Sequence, residues 1–331
     1  MAARENILLI RLKSIGDVLF TLPAVHAVRE NFPDARLHFL VSKENAPLLQ
    51  GFPEIDAVIP VDRRVYGSGN VPSACASTFR LLRGLRQPKF SRVIDFQGFG
   101  ETALLSWWTG APERWCSVYQ PSRGWAYTRD VPNTVVTHPA EANLALLRGC
   151  GVNPGPIRNQ FALPEPALEE ARQFFAANKL QSDRPTLFLQ PFTSTPHKNW
   201  PLENYLKLAW HWHSQGVQVI FGGGPGDLTA LESARAAGFA ISAGVPLLVT
   251  AGLMKLSTLV VGGDTGLMHL AVAMGRRVVM VMRSNVRGQT FPFQHSDWAI
   301  VADSGQPITT VTLSNVIAAS EQGFQEARSF K

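Results

Sequence analysis

The stretch 7–17, with the sequence ILLIRLKSIGD, decides the fold class of this chain. Its first four residues form an unbroken apolar run, which is typical of a parallel strand buried on both faces. The segment Lys13–Asp17 then ends the run with charge, serine and glycine, and this change predicts a loop. Pro23 follows at a position suited to the first turn of a helix, where its missing N–H is not needed. The stretch thus predicts a strand, a loop and a helix in that order.

The same alternation continues along both halves of the chain. Predicted strands cover 7–10, 37–41, 57–61, 92–95, 186–190, 218–221, 258–261 and 277–282. Predicted helices cover 21–30, 77–86, 168–178, 202–215, 228–237, 267–274 and 313–330. A repeated βαβ rhythm predicts parallel sheets covered by helices. The expected fold class is therefore α/β, with two facing Rossmann-like domains, parallel sheets and an interdomain cleft.

The length of 331 residues favours two domains over one. A stretch with four prolines, from Pro154 to Pro166, interrupts the alternation and marks the expected linker. The predicted domains cover residues 1–165 and 166–312. A final helical segment, 313–331, is expected to follow them, with the option of packing back across the linker.

Composition excludes several classes of protein. Hydrophobic residues make up 45% and charged residues 17%, so the chain is neither disordered nor fibrous. The net charge of +6 favours an anionic ligand or surface but is too small to imply nucleic acid. The three cysteines, Cys75, Cys116 and Cys150, are odd in number and widely spaced, which fits a reducing compartment. They include no CxxC pair that would suggest a zinc site. No signal peptide and no apolar run of about 20 residues is found, so we expect a cytoplasmic protein with only peripheral membrane contact.

The segment 262–269, GGDTGLMH, is the strongest candidate for a ligand site. It follows an apolar strand and opens a helix, whose free N–H groups and positive dipole end favour phosphate. Gly266 removes a side chain that would block close approach. Alternatively, Asp264 or Thr265 only caps the helix. His269 lies on an apolar helix and is more often a packed core residue than a ligand.

Two further loops of the second half are candidates. The segment Thr193–Pro201 combines hydroxyl groups with Lys198, which suits a diphosphate, although a solvated loop with an exposed lysine fits equally well. The segment Phe221–Asp227 resembles a dinucleotide fingerprint only loosely, because Asp227 stands where the last glycine is expected. Asp227 either binds a ribose hydroxyl or caps the helix 228–237.

The first half offers a carboxylate and a group of basic residues. Asp17, backed by Gly16, could accept a proton from a sugar hydroxyl, and a helix-cap role is the alternative. Basic residues occur in the predicted loops of the same domain, where they form either an anion site or a solvated surface. They are Lys13, Arg63, Arg64, Arg123 and Arg129.

Together these loops resemble glycosyltransferase family 9, the lipopolysaccharide heptosyltransferases. The matching motifs, in chain order, are ILLIRLKSIGDVLFTLP at 7–23, VIDFQG at 93–98, KNWP at 198–201 and GDTGLMH at 263–269. The match spans almost the whole chain, and ordered motifs are far more specific than any single one. The resemblance implies a GT-B fold and an inverting, metal-independent glycosyl transfer with no cofactor.

The resemblance also implies the substrates: an ADP-heptose donor bound mainly by the C-terminal domain and an inner-core lipopolysaccharide acceptor bound by the N-terminal domain. Asp17 would be the general base and Lys198 would contact the diphosphate. The expected donor-site residues are Thr193, Lys198, Asp227, Asp264, Thr265, Gly266 and His269. The expected acceptor-site residues are Lys13, Arg63, Arg64 and Arg123. Peripheral contact with the inner face of the inner membrane fits such an acceptor, and no nucleic acid is expected.

Three positions depart from the family pattern. Phe192 replaces a glycine and would crowd the backbone near the phosphates. Asp227 replaces a longer glutamate near the ribose, and the segment Arg283–Arg287 replaces a Gly-Pro-Thr-Asp-Pro type of sequence. These departures bear on the identity of the donor more than on the fold.

Two other functions are compatible with the same pattern. A nucleotide-sugar epimerase of GT-B fold would need no acceptor, and the basic loops of the first domain favour a transferase over it. A non-catalytic protein that binds anionic glycolipid or nucleotide is the alternative from another class.

Overall fold

The structure is a computed structural model that describes residues 4–67, 71–132, 138–284 and 290–329. The chain divides into two compact units, Met1–Asn159 and Gln160–Lys331. The border falls inside the proline-rich stretch. Each unit is an α/β layer structure with its own parallel sheet.

In the first unit the described strands form one parallel sheet. They are β1 Asn6–Ile10, β2 Arg36–Ser42, β3 Ala57–Val61, β4 Arg92–Asp95, β5 Glu113–Cys116 and β6 Arg129–Asp130. The described helices are α1 Ile15–Leu19, α2 Leu22–Asn31, α3 Arg64–Gly67, α4 Val71–Arg86, α5 Gly100–Trp108 and α6 Pro139–Gly149. The spatial order is β3-β2-β1-β4-β5-β6, with every neighbouring pair parallel.

The second unit repeats this design. Its described strands are β7 Thr186–Gln190, β8 Gln218–Phe221, β9 Ala240–Ile241, β10 Leu259–Gly263, β11 Val278–Met282 and β12 Ala299–Val301. Its described helices are α7 Glu165–Ala177, α8 Leu202–His213, α9 Glu232–Ala236, α10 Leu247–Leu256, α11 Gly266–Ala273 and α12 Leu313–Ser329. The order is β12-β11-β10-β7-β8-β9, again parallel throughout. Both sheets therefore have the strand order of a Rossmann fold.

The central strands are buried because helices cover both faces of each sheet. Ile7, Leu8, Leu9 and Ile10 of β1 have no exposed surface, as the continuous apolar run predicts. The predicted α/β fold class with two Rossmann-like parallel sheets is confirmed. In such sheets the loops beyond the carboxyl ends of the strands carry the ligand sites, and these loops hold the sequence motifs.

Several predicted elements are wrong in their bounds. The segment Lys13–Asp17, predicted as a loop, contains the start of α1, because Ser14 and Asp17 form a capping box around that helix start. The predicted helix 228–237 begins only at Glu232, because the chain first makes a short 3-10 turn over Pro225–Asp227. The helix α10 is absent from the prediction, because its residues are buried nearly all round and show no amphipathic period.

The last helix, α12, packs on its own unit. It contacts α8 and the strands β10 and β11. The ring of Phe324 lies 4.5 Å from that of Trp212 of α8, and Gly323 lies against Leu259 of β10. In the described part of the chain, no helix combines the length and the apolar character needed to cross a bilayer.

Candidate active site

Asp264, directly after β10, is the centre of a polar cluster in the second unit. Lys198 Nζ donates a hydrogen bond of 2.8 Å to Asp264 Oδ2. His269 Nε2 lies 3.3 Å from Oδ1, and the hydroxyl of Thr290 donates to the same oxygen over 2.9 Å. The structure thus brings together Lys198, Asp264 and His269, which the sequence proposed separately.

The electrostatics of this cluster keep Asp264 ionised. Burial alone raises the pKa of its carboxyl group. Hydrogen bonds and charge from His269 and Lys198 oppose that effect and outweigh it, so the pKa of Asp264 lies well below its ordinary range. The anion in turn fixes the ammonium group of Lys198, which remains 36% exposed. Because an ammonium has three N–H donors and Asp264 takes one, Lys198 keeps donors for a ligand.

The start of α11 lies beside this ion pair. Thr265 is its N-cap, and the hydroxyl of Thr265 accepts from the N–H of Met268. Thr265 thus performs the capping role that the sequence left open. The first N–H groups of the helix, beginning at Gly266, have no acceptor within the helix. Together with the positive end of the helix dipole they can receive an anion.

Glycines after β10 allow neighbouring segments to close on the strand end. A Cβ atom at Gly263 would lie 2.8 Å from the methyl group of Thr193, and one at Gly262 would lie 2.7 Å from Met268 Sδ. Gly262 and Gly263 belong to β10 rather than to the loop that was predicted. Their absence of side chains serves packing, because any larger residue would push the loop of Thr193 or the helix α11 away.

The KNWP motif builds the loop that carries Lys198. Thr193 N–H donates to Asn199 Oδ1 over 2.8 Å, and the hydroxyl of Thr193 donates to the carbonyl of Thr195 over 2.8 Å. Trp200 is fully buried and donates its indole N–H to the carbonyl of Val311 over 2.8 Å. The loop is therefore ordered by its own hydrogen bonds and anchored by a tryptophan, with Lys198 at the end of a 3-10 turn.

Asp227 stabilises the turn in which it lies. Its Oδ2 accepts the N–H of Gly224 over 2.7 Å, and it ends the 3-10 turn Pro225–Asp227. The expected N-cap role on a helix starting at residue 228 is wrong, because that helix begins only at Glu232. A Cβ atom at Gly222 would lie 2.6 Å from Gln190 Oε1, so this glycine also serves close packing.

In the first unit, Asp17 is held by Arg11 and Ser14. Arg11 Nη2 lies 2.7 Å from Asp17 Oδ1. Oδ2 accepts the N–H of Ser14 over 2.9 Å and lies 3.2 Å from its hydroxyl. The carboxyl group is about one-third exposed, at 34%. Asp17 therefore has the capping role that the sequence named as an alternative and still presents a fixed carboxylate to solvent.

The VIDFQG motif braces this loop from the neighbouring strand. Asp95 at the end of β4 is 1% exposed, and burial raises the pKa of its carboxyl group. Its oxygens accept the N–H groups of Gln97 and Gly98, at 2.8 and 3.1 Å, and the hydroxyl of Tyr127 at 2.7 Å. Gln97 Oε1 then accepts the N–H of Leu12 over 2.9 Å. The motif thus joins the end of β4 to the segment between β1 and α1, which we call the loop of Asp17.

The predicted acceptor arginines have different partners. Arg63 pairs with Glu101 at 3.2 Å, and Arg64 pairs with Glu44 at 3.3 Å. Arg123 donates to the carbonyl of Gly98 over 3.0 Å. Lys13 is exposed. Arg63 and Arg123 thus both reach the start of α5, while Arg64 points to another loop.

The structure shows the surroundings of some of the positions that depart from the family pattern. Phe192 packs against the core of the second unit, so its bulk is turned to the interior of that unit. Of the segment Arg283–Arg287, Arg283 and Ser284 follow β11, whereas 285–287 lie outside the described residues.

Sequence reasoning missed Arg11, Gln97 and Thr290. Arg11 interrupts an otherwise apolar strand end, which is the signal that would have found it. Gln97 was visible inside the VIDFQG motif, but its contact with Leu12 depends on strand order. Thr290 lies in no recognisable sequence motif. Among the residues with described placement, no group of three or more His, Cys, Asp or Glu side chains is arranged to hold a metal ion.

Two Rossmann-like units, one with a lysine and a helix start at its strand ends and one with a fixed carboxylate, have the architecture of the GT-B glycosyltransferases. The model of glycosyltransferase family 9 (heptosyltransferase) matches residues 78–315, and the chain belongs to this family.

Individual relatives agree with this assignment. The lipopolysaccharide core heptosyltransferase OpsX of Haemophilus influenzae is 23% identical over 306 residues, which cover 89% of this chain and 84% of that protein. The structure of a family 9 glycosyl transferase from Veillonella parvula matches with a TM-score of 0.87 and 20% identity, covering 98% of this chain and 99% of that one. E. coli heptosyltransferase WaaC with ADP-2-deoxy-2-fluoro heptose matches with a TM-score of 0.77 and 21% identity, covering 96% and 99%.

Proposed function

We propose that this glycosyltransferase moves a heptose from ADP-heptose to an inner-core lipopolysaccharide acceptor with inversion at the anomeric carbon. The observation that carries the donor half is the pairing of Lys198 with Asp264 beside the start of α11. This arrangement provides a fixed cation and free helix N–H groups at one strand end, as a diphosphate requires. The donor class is supported by the similarity to WaaC, which was solved with an ADP-heptose analogue.

The role of Lys198 is to stabilise the leaving group. When the bond between the anomeric carbon and the diphosphate oxygen breaks, negative charge develops on that oxygen. The ammonium of Lys198, held by Asp264, and the dipole of α11 stabilise this charge without rearrangement. His269 and Thr290 hold Asp264 in turn. Asp227 and Thr193 are proposed to contact the donor from the neighbouring loops.

The role of Asp17 is to accept the proton of the acceptor. The acceptor hydroxyl oxygen bonds to the anomeric carbon from the face opposite the diphosphate, its proton passes to the Asp17 carboxylate, and ADP leaves with the bonding electron pair. A single displacement of this kind inverts the anomeric configuration. General-base assistance contributes about 10²–10⁴-fold to such a step.

The binding of the negatively charged groups of the acceptor is assigned to basic side chains of the first unit. Lys13, Arg63, Arg64 and Arg123 are proposed to bind phosphate or carboxylate groups of the acceptor. Arg123 and Arg63 support this role best, because Arg123 donates to the carbonyl of Gly98 in the VIDFQG motif and Arg63 pairs with Glu101 at the start of the helix that follows. Arg64, paired with Glu44, would have to exchange its partner.

The direct test is to incubate the protein with ADP-heptose, with and without a core oligosaccharide acceptor, and to measure free ADP and product. ADP release that depends on acceptor supports the transferase. Sugar conversion without acceptor would indicate the epimerase, and binding without turnover would indicate the non-catalytic alternative.

Metal independence is tested in the same assay. We expect EDTA to leave turnover unchanged, because Lys198 and the α11 start supply the positive potential that a cation otherwise provides. Loss of activity with EDTA and recovery with magnesium or manganese would contradict this mechanism.

A further inference from the structure

The outer face of α5 in the first unit is apolar. Leu104 and Trp107 are 52% and 47% exposed, while Ala103 and Leu105, on either side of Leu104 in the sequence, are buried. Surface helices ordinarily present polar residues outward. This helix instead has apolar residues on both its buried and its exposed side. Glu101 at its start is the charged exception, and it is paired with Arg63.

Other large exposed rings lie next to this helix. The ring of Trp125, in the 3-10 turn Pro121–Ala126, is 58% exposed and lies 6.0 Å from the ring of Trp107 in an edge-to-face arrangement. A Cβ atom at Gly98, before α5, would lie 3.5 Å from Tyr119, whose side chain is 57% exposed. Exposed aromatic residues are thus grouped here rather than scattered.

The helix α4 adds an aromatic ring and positive charge. Phe79 is 68% exposed, and Arg80 and Arg83 on the same helix are exposed as well. Within the described residues neither arginine forms an ion pair. The sequence contains no acidic residue between Asp62 and Asp95, so nothing on α4 offsets this charge.

The two helices form one surface. Trp108 of α5 donates its indole N–H to the carbonyl of Leu82 over 3.0 Å. Arg86 of α4 donates to the carbonyl of Trp108 over 3.0 Å and lies 4.8 Å above its ring. We call this surface the aromatic–arginine face. It is made of Phe79, Arg80, Arg83, Leu104, Trp107 and Trp125.

We infer that the aromatic–arginine face docks on a lipid bilayer with anionic headgroups. Tryptophan is enriched at membrane–water interfaces, where its ring meets the acyl boundary and its N–H meets water. Unpaired arginines beside it are attracted to anionic lipid, at about fivefold in binding for each residue near the surface. A protein partner would be expected to meet a polar rim of both signs, whereas Glu101 is already paired with Arg63 and the arginines of this face, Arg80 and Arg83, add positive charge.

The aromatic–arginine face lies close to the loops that are proposed to bind the acceptor, and this step rests on the proposed function. Arg123, two residues before Trp125, contacts the carbonyl of Gly98, and the same loop is joined through Gln97 to the loop of Asp17. Docking at α4 and α5 would therefore hold the acceptor loops close to the membrane surface. A glycolipid acceptor with its acyl chains in the bilayer presents its sugars there.

Binding is tested with vesicles of phosphatidylethanolamine containing roughly 25% phosphatidylglycerol, a mixture that gives a negative surface. We expect the protein to sediment with these vesicles and to bind weakly to vesicles of phosphatidylcholine alone. The double variant Trp107→Ala/Trp125→Ala should lower binding about tenfold or more. Arg80→Gln/Arg83→Gln should lower it about 25-fold, and salt at about 0.5 M should have a similar effect.

Matched controls come from the second unit. Trp210 is 50% exposed, and Trp210→Ala removes an exposed ring of similar exposure. Lys207→Gln/Arg235→Gln removes two exposed charges of the same sign. These controls should bind vesicles like the unaltered protein. Equal losses in the controls and in the face variants, or no vesicle binding by the unaltered protein, would overturn the inference.

A native thiol allows the contact to be located. Cys75 is exposed on α4, one turn before Phe79, whereas Cys116 and Cys150 are buried, and burial raises the pKa of Cys116 and Cys150. An environment-sensitive dye on Cys75 should shift to the blue on addition of the anionic vesicles. The same dye on a Cys75→Ser/Ser233→Cys variant should not, because Ser233 is exposed on α9. A shift at position 233 with none at position 75 would place the membrane contact elsewhere.

Activity separates this inference from the proposed function. With a deacylated, water-soluble acceptor, the Trp107→Ala/Trp125→Ala variant should keep the turnover of the unaltered protein. With acceptor embedded in the vesicles, its rate should fall about tenfold, in parallel with binding. Vesicle binding without any transfer would disprove the function and leave the docking face standing, while equal rates on both acceptors would disprove the docking role alone.

Discussion

Arg11 Nη2 lies 2.7 Å from Asp17 Oδ1, so the carboxylate proposed as the base is held by a guanidinium from the end of the central strand β1. Arg11 also donates to the carbonyl of Phe96, in the loop after the neighbouring strand β4. The arginine is only 14% exposed, which limits its freedom of movement. This contact fixes the orientation of the Asp17 carboxylate, which its proposed role as a base requires.

Removing the base should slow turnover while leaving donor binding intact. We expect Asp17→Asn to lower kcat by about 10² or more, because the amide cannot accept the proton of the acceptor hydroxyl. The substitution keeps the size of the side chain and an oxygen for the N–H of Ser14. The measurement is steady-state ADP release, together with ADP-heptose affinity and Tm. Asp34→Asn, an exposed carboxylate of the same unit, is the control. Wild-type turnover in Asp17→Asn would return Asp17 to a capping role.

Removing the guanidinium should misplace that base. Arg11→Met leaves Asp17 Oδ1 without its partner and the carbonyl of Phe96 without this donor. We expect kcat to fall by up to about 10²-fold with donor affinity unchanged, because small misplacements of a catalytic group cost this much. Arg11→Lys should recover part of the loss, since an ammonium can reach one of the two acceptors. A purely structural role would instead lower Tm and donor affinity in both variants alike.

Lys198 should matter for the donor and for the departure of the nucleotide. Lys198→Ala removes the cation that Asp264 holds at 2.8 Å and leaves that carboxylate facing the diphosphate. We expect a higher donor KM and a lower kcat, with the acceptor KM little changed, because the leaving group loses its charge partner. Lys207→Ala, on the exposed side of α8, is the control. Unchanged kinetics would exclude Lys198 from the donor site.

Acceptor binding should depend on salt more than donor binding. Raising salt to about 0.5 M screens exposed charge pairs strongly, so the acceptor KM should rise more than the donor KM. Arg123→Gln should raise the acceptor KM and flatten its dependence on salt. The measurement uses a soluble acceptor, so that vesicle binding does not contribute. Equal sensitivity of both substrates would contradict the assignment of the basic residues.

Tyr127 should stabilise the fold through Asp95. Tyr127→Phe removes the hydrogen bond of 2.7 Å to a carboxyl group that is 1% exposed, and we expect a loss of about 1–3 kcal/mol in the free energy of unfolding at pH 7. Burial raises the pKa of Asp95, and the tyrosine hydrogen bond favours its ionised form. The penalty of burying the charge is absent below about pH 4, grows as pH rises from there to the folded pKa, and is constant above it. The loss should therefore shrink towards acid pH. Urea unfolding at several pH values checks this, with Tyr119→Phe as the exposed control; a loss of the same size at every pH would contradict it.

The sequence alone was sufficient for the strands at the centre of each sheet. The run Ile7–Ile10 and the strand Thr186–Gln190 are buried on both faces, so their apolar character is continuous and can be recognised locally. Motif order was likewise sufficient for the family, and it named Asp17, Lys198 and Asp264 as residues of interest. Local patterns failed where capping and turns set the bounds, as at α1 and α9.

The contacts within the candidate sites were decided by tertiary structure. Lys198 and Asp264 are 66 residues apart, and Gln97 and Leu12 are 85 apart, so only the strand order brings each pair together. The same holds for Trp107, whose sequence context is that of a core helix although its ring lies outward next to Trp125. Periodicity along one element records which residues are apolar. The packing of other elements determines which of those residues are covered and which polar groups meet, and that information is absent from any local stretch of sequence.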